Sequence, residues 1–566
     1  MKRLLLAASL FVLAQPVCVQ AAADNSISGI DFQKILPKNE SAEKALISLR
    51  SLAEKGNVKA QNSLGLLYFV GEEVDQDYAE AFKWFSMSAA QGSALGQGNL
   101  GLLYLEGKGV ARDDKQAARW IKESAAQDNA AAQANLGMLY LEGRGVDKNV
   151  AHALLWTRKA AAQKNATALF TLANMIKAGT GTEQRYSEAM ANYRKAAELG
   201  HAGAQYALGQ MYKSGQGVRQ DHGEAISWFR LAAEQGDAAA QLSLGYAYAK
   251  GLGVIKDGDA ALRWYRLAAA SGNAAAQANL GAIYFSGDGV PQNLVEALKW
   301  YRLAANKGDA DAQASLAGMY EQGKGVPQND AEALRLYRLA AAQEQTAAQL
   351  NLALMLMEGK GGTRDDVEAV KWLRLAAEKG NVQAQYNLGV LLAQGQGVPQ
   401  DFEEAVKWSK LAAEKGHAGA QFSLGMRYSQ GQGVERNDES AVKWLQRAAD
   451  QGHAMAQNSL GMRYAKGLGV VPDQAVAFKW YEKSARQGNS NALNNLGLAY
   501  EQGLQAQGAK PDVAAAYLWF TTAAKAGLAE AQKNKTRLGK KINKQQINKA
   551  ETQAEDCKKR LFKDCV

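Results

Sequence analysis

Proline is scarce in this chain, seven residues in 566, and no Pro-, Gly- or Ser-rich linker or shift of composition divides it. A string of globular domains joined by spacers is therefore excluded, while the length is too great for one ordinary core. Long hydrophobic runs are missing too. The apolar stretch from Leu4 to Leu13 is too short to cross a bilayer. It follows Lys2 and Arg3 and leads into the small residues of "VQAAAD", which is the pattern of a cleaved secretory signal over residues 1–23. The mature protein is thus expected to be soluble and periplasmic or secreted, with no transmembrane segment. A lipid anchor on Cys18 is disfavoured because Pro16 and Val17 stand where small residues are required.

Cysteine and histidine are equally sparse. Signal cleavage would leave Cys557 and Cys565 alone, in the last ten residues. In an oxidising compartment the two are expected to pair as a disulfide, since two thiols with no histidine nearby make a poor metal site. Three of the five histidines, His201, His417 and His453, share one position of a repeating pattern, so no metal or catalytic cluster emerges and no cofactor is implied. The charge of +10 also has a local origin. Lys2, Arg3 and residues 533–566, where eleven basic side chains face four acidic ones, account for nine of the ten charges. Nucleic acid is excluded as the partner of a near-neutral remainder. The basic tail reads as a solvated amphipathic helix, with contact to anionic envelope polymers as the alternative.

What the sequence has in abundance is periodicity. "AQFSLGMRYSQGQGV" at 420–434 returns as "AQNSLGMRYAKGLGV" at 456–470, and leucine recurs at a constant step of 36 from Leu64 to Leu496. Each period reads as two helices. The first opens after a Gly and a capping residue such as Asn57 or Asp237, carries Ala60, Leu64, Leu67 and Tyr68 on one face, and stops at a glycine such as Gly71 or Gly431. The following Gly-x-Gly-Val resembles half of a phosphate loop, but its first glycine recurs after a helix in all thirteen repeats and its second in eleven, which reads as a structural turn. The second helix is capped by residues such as Asp77, Asn149 and Asp401. Its expected core anchor is tryptophan: Trp84, Trp120, Trp156, Trp228, Trp264, Trp300, Trp372, Trp408, Trp444, Trp480 and Trp519.

The composite pattern "AQ..LG..Y..G.GV..D...A..W...AA..G" resembles the Sel1-like repeat family, a relative of the tetratricopeptide repeat. The resemblance implies an all-α, right-handed superhelical α/α solenoid of about 13 repeats of 36 residues, used as a scaffold for protein partners. Residues 24–56 become an N-terminal segment ending in a capping half repeat, 57–532 the solenoid, and 533–566 the basic tail with its cysteine pair. The family also implies the partner classes: a host protein such as immunoglobulin, or an enzyme of the cell wall. The alternative is a beta-lactam-binding or beta-lactam-hydrolysing enzyme of the cysteine-rich type. Against it, the repeated cysteines are absent, Ser41/Lys44 and Ser440/Lys443 fall in structural registers, and no Lys-Thr-Gly occurs. The chain is therefore read as a non-catalytic binder.

The partner surface of such stacks is the concave lining supplied by the first helix. In the register of Asn62, off the Leu64/Tyr68 face, stand Phe170, Tyr206 and Leu242, then Leu350, Tyr386 and Phe422. Large apolar groups at a variable position are candidate hot spots, with packing between neighbouring repeats as the competing role. A basic row from Lys122 through Arg374 to Lys410 is expected to be neutralised by acids four residues on, such as Glu378 and Glu414. Departures from the pattern cluster at Ala173, Ile176, Thr182, Arg185 and Asn192, and again through Leu336, Ala353, Leu356, Gly362 and Leu392.

Overall fold

The computed structural model describes residues 42–71, 74–504 and 509–560. The expected signal segment, Cys18, Ser41, Glu73, Gln505 and Cys565 lie outside the described residues. Among those described every regular element is an α-helix, running from Ala42–Glu54 to Lys544–Lys559. Among the described residues two compact units emerge, one reaching to residue 283 and taking in 287–291, the other comprising 284–286 and the described residues from 292 onward.

Within each unit the 36-residue period folds as predicted, into a first helix A and a second helix B packed as an antiparallel pair. Helix A of the first repeat, Val58–Val70, begins where the Asn57 side chain accepts from the Ala60 amide and ends at Gly71 with φ 83°. Helix B, Tyr78–Ala90, begins where Asp77 accepts from the amides of Ala79 and Glu80. Side-chain caps satisfy amides that no intrahelical carbonyl can reach. The second turn glycine has its own reason. Gly145 sits at φ 67° with its backbone against the preceding repeat, where a Cβ would stand 1.8 Å from the Asp114 carbonyl oxygen.

The tryptophans pack against the core as expected, but most are not its deepest residues. Trp84 and Trp519 are buried, but the other nine indoles are half-buried. The residue after each tryptophan goes deepest: Phe85, Ile121, Phe229, Tyr265, Leu445 and Phe520 are at most 3 % exposed. This residue explains the glycine in "LG" of helix A. A Cβ on Gly245 would lie 2.6 Å from the Tyr265 ring, and one on Gly497 2.6 Å from Phe520. In nine repeats the tryptophan beside it is half-buried, and in some repeats its N–H meets a glutamate four residues earlier. The Trp372 and Trp408 indoles donate to Glu368 and Glu404 at 3.1 Å.

A line of buried glutamines, at the Gln position of "AQ" in eleven of the thirteen repeats, ties helix A to the preceding repeat and to the end of helix B in its own repeat. In unit 1 Gln61 donates to the Ala53 carbonyl at 2.9 Å while its own oxygen accepts from Gln91 at 2.8 Å. In unit 2 Gln421 donates to Ala413 at 3.1 Å and accepts from Gln451 at 2.7 Å. Where Ser271, Lys379 or Lys415 replaces the donor glutamine, the buried oxygen of Gln241, Gln349 or Gln385 is left without a partner. Burying an amide oxygen is tolerable only when it is hydrogen-bonded, so these are weak points of the frame.

The described segments on either side of the array are helical as well. Helix Ala42–Glu54 buries Leu49 and Ala53 against the first repeat. Residues expected to form a solvated tail fold as helices Ala529–Gly539 and Lys544–Lys559, and Leu538 and Ala550 close over Tyr517 and Phe520. Its charges are partly used there: Lys525 and Lys535 pair with Glu551 at 3.6 and 2.6 Å, and Lys525 with Glu555 at 2.7 Å.

Candidate partner-binding surface

All six candidate side chains on helix A are half-buried. Three of them share one arrangement. Phe170 stacks on His201 with centroids 4.5 Å apart, Tyr386 on His417 at 4.5 Å, and Phe422 on His453 at 4.9 Å. In each pair the histidine is the capping residue of helix A in the next repeat. Its Nδ1 accepts from an amide of the first turn, 3.2 Å at Ala204, 3.1 Å at Ala420 and 3.2 Å at Ala456. One imidazole therefore caps a helix and supports a ring across the repeat boundary. Accepting at Nδ1 requires the neutral ring, and burial pushes His417 and His453 below the usual histidine range. Tyr206 packs instead on Phe229 at 5.7 Å, its hydroxyl accepting from Gln210 at 2.7 Å. The cap ahead of it is Asp237, whose carboxyl is raised by burial. Leu242 and Leu350 are half-buried in the same register.

The basic row has a different arrangement from the expected one. Lys410 does approach Glu414, at 4.0 Å. Arg338 and Arg374, however, turn to the next repeat and pair with Glu368 at 2.8 Å and with Glu404. Hydrogen bonds donated by the Arg338 and Arg374 guanidinium groups hold the Glu368 and Glu404 carboxyls below the usual range. Arg194 and Arg230 donate to the hydroxyls of Tyr212 and Tyr248 at 2.6 and 2.9 Å. These arginines brace neighbouring repeats.

The Sel1 repeat family model matches thirteen consecutive stretches from 58–93 to 490–528. The chain belongs to the Sel1 repeat family. Its fold is similar to the crystal structure of a protective antigen present in uropathogenic Escherichia coli strains displaying an SLR fold. That protein is 34% identical, with 84% of this chain and 99% of that one covered, at a TM-score of 0.64. A Sel1 repeat protein from Oxalobacter formigenes is 31% identical over 57% of this chain and 93% of its own, at a TM-score of 0.41. A comparison with curated proteins found no match.

Six of the pattern departures are apolar swaps within the Sel1 repeat frame. Ala173, Ile176, Leu336, Ala353, Leu356 and Leu392 are all buried in the positions they inherit. Arg185 caps its helix without a side-chain hydrogen bond. Two features escaped the sequence reading. Helix B exposes a leucine three residues after the Trp register, Leu231 and Leu267 in unit 1 and Leu303, Leu339, Leu375 and Leu411 in unit 2, each between 41 and 51 % exposed. The recurring "RLAA" was their signal. The second feature is a pair of arginines, Arg427 and Arg463, buried in a helix A register that every other repeat fills with Leu, Met, Ile or Ala. Among the described residues no group of three His, Cys, Asp or Glu side chains is placed to hold a metal ion, and no helix is long and apolar enough to cross a membrane.

Proposed function

We propose that the protein is a non-catalytic scaffold that holds a protein partner on the helix A surface of its Sel1 repeats. The observation that carries this reading is the presentation of Phe170, Tyr206, Tyr386 and Phe422. The frame braces each ring through one side and leaves part of it open at a position it does not need to specify. A half-exposed aromatic that is already immobilised loses little entropy on binding, which is what an interaction hot spot requires.

The place of action is proposed to be the periplasm or the exterior, on the strength of the basic, apolar and small-residue order in residues 1–23. The relative described as a protective antigen of uropathogenic strains supports a host-facing role, and a cell-wall enzyme is the other partner class. Export carries with it the proposed disulfide between Cys565 and Cys557, the latter buried in the last helix.

A photo-crosslinking amino acid placed singly at 170, 206, 386 and 422 tests the surface in the native envelope. Capture of one protein from these sites, and not from Leu231 or Leu375, is the expected result. Capture from the leucines alone moves the surface to helix B.

A further inference from the structure

Arg427 is 8 % exposed, and its Nε–H is buried without an acceptor. Among the described residues no carboxylate stands within ion-pair distance of it, and burial alone depresses its guanidinium. The same register one repeat later shows what is missing. Arg463 donates to the Asp438 carboxylate at 2.9 Å, to the Leu468 carbonyl at 3.3 Å and to the Ser429 hydroxyl. Thirty-six residues back, the positions of Asp438 and Ser429 are held by Phe402 and Ala393. In place of those partners there is a cleft of about 380 Å³, lined by Val390, Ala393, Phe402, Ser423 and Met426 around Arg427. The Phe402 ring lies 5.6 Å from the guanidinium carbon and shields one face of the charge.

We propose that this cleft binds a carboxylate brought in from outside, presented by a protein segment as an Asp or Glu side chain or as a free C-terminus. A buried guanidinium left unpaired costs much more than one that is paired, and the neighbouring repeat answers the same need with a carboxylate and a hydroxyl. The planar fork of arginine takes a carboxylate through two parallel hydrogen bonds. The walls mix the apolar groups of Val390, Ala393, Phe402 and Met426 with Ser423 and the amides of Gln394, Gln400 and Gln432, so the segment should carry its acid beside groups that can meet both. The inference deepens the scaffold reading by naming a chemistry its partner brings. It is tested without that partner, so a failed capture from the aromatic sites leaves this result standing, and the reverse also holds.

Saturation-transfer NMR on the full chain reads binding of three probes: N-acetyl-aspartate amide, an uncharged-side-chain tetrapeptide with a free C-terminus, and inorganic phosphate. A carboxylate probe should bind in the millimolar range and weaken at least tenfold in Arg427→Met, a loss typical of a charge-assisted hydrogen-bonded pair. The tighter of the two carboxylates identifies side chain or C-terminus as the source. The double variant Ala393→Ser/Phe402→Asp rebuilds the internal partners. It should melt higher than wild type, which shows that it folds, and should lose the probe to the same extent. Binding that survives in either variant, absence of carboxylate binding to the wild type, or tighter binding of phosphate than of both carboxylates overturns the proposal.

Discussion

Replacing Lys415 with glutamine should make the protein more stable, although it removes a charge and adds no apolar contact. In two of the repeats where glutamine stands there, the side chain serves an acceptor in the preceding repeat as well as the buried glutamine oxygen. Gln127 donates to the Gly92 carbonyl at 3.0 Å and to the Gln97 oxygen at 2.8 Å, and Gln163 does the same with Asp128 and Gln133. Lys415 reaches only the first kind, the Gly380 carbonyl at 2.9 Å, and the buried Gln385 oxygen has no donor. Satisfying that oxygen should gain about 1 kcal/mol. The lost ammonium at the C-terminus of helix Phe402–Glu414 costs a few tenths of a kcal/mol through the helix dipole. The net is about 0.5–1 kcal/mol, a two- to fivefold rise in hydrogen-exchange protection of amides around Gln385. Exchange is the assay of choice because repeats couple mainly to their neighbours and a global melt blurs local changes. The mirror change Gln451→Lys should lower protection around Gln421 by a similar factor. Unchanged protection in Lys415→Gln together with unchanged protection in Gln451→Lys would refute the claim that these amide bonds stabilise the frame.

Tyr265→Ala should cost roughly 3–5 kcal/mol and Trp264→Ala only about half as much, since Tyr265 is 3 % exposed while Trp264 is half-buried; equal losses in chemical denaturation would contradict the core described above. Acid should act in two windows. The His417 and His453 rings are depressed in the folded state, so their contribution is complete above the ordinary 6.5 and is lost as pH falls below it, when the unfolded chain takes up the protons first. Local exchange around Ala420 and Ala456 should rise there, and His417→Asn with His453→Asn should remove the effect. Asp114 is held down to about 2 by hydrogen bonds from Arg112 and Arg144, so its contribution persists down to about pH 3.8 and disappears below that as pH approaches 2; in Asp114→Asn that lower window should vanish. Thiol titration of unfolded protein purified from its native compartment should find no free cysteine, and two free thiols would refute the proposed Cys557–Cys565 pair.

The repeating frame was legible because its signals are local and redundant. A cap at Asn57 or Asp77 and a stop at Gly71 need only a few neighbouring residues to be read. What was not legible depends on contacts between repeats. Tryptophan is the largest side chain in its register, so volume pointed to it as the anchor, but which of Trp264 and Tyr265 faces the glycine of helix A is decided by how helix B is rotated against that helix. The pairing of Arg374 with Glu404 over Glu378 is likewise a matter of distance between helices. Positions Phe170, Tyr386 and Phe422 were visible as a variable register, whereas their histidine partners were recognisable only as caps. Arg427 had a signal that was passed over, a charge in an otherwise apolar register.

The glutamine line has one further consequence, for how such a chain can change length. Its recurring bonds link residues a fixed distance apart in sequence, 8 to the preceding carbonyl and 30 to the following amide. Excising or duplicating one whole 36-residue unit keeps donor and acceptor of each recurring bond at the same spacing, and the two cut ends meet in register. An insertion of any other size strands an oxygen on one side of the scar. Gene-level unequal exchange between repeats is therefore nearly silent structurally, and the array can be lengthened or shortened in whole steps while a cleft built from neighbouring units, such as the one around Arg427, is carried along intact.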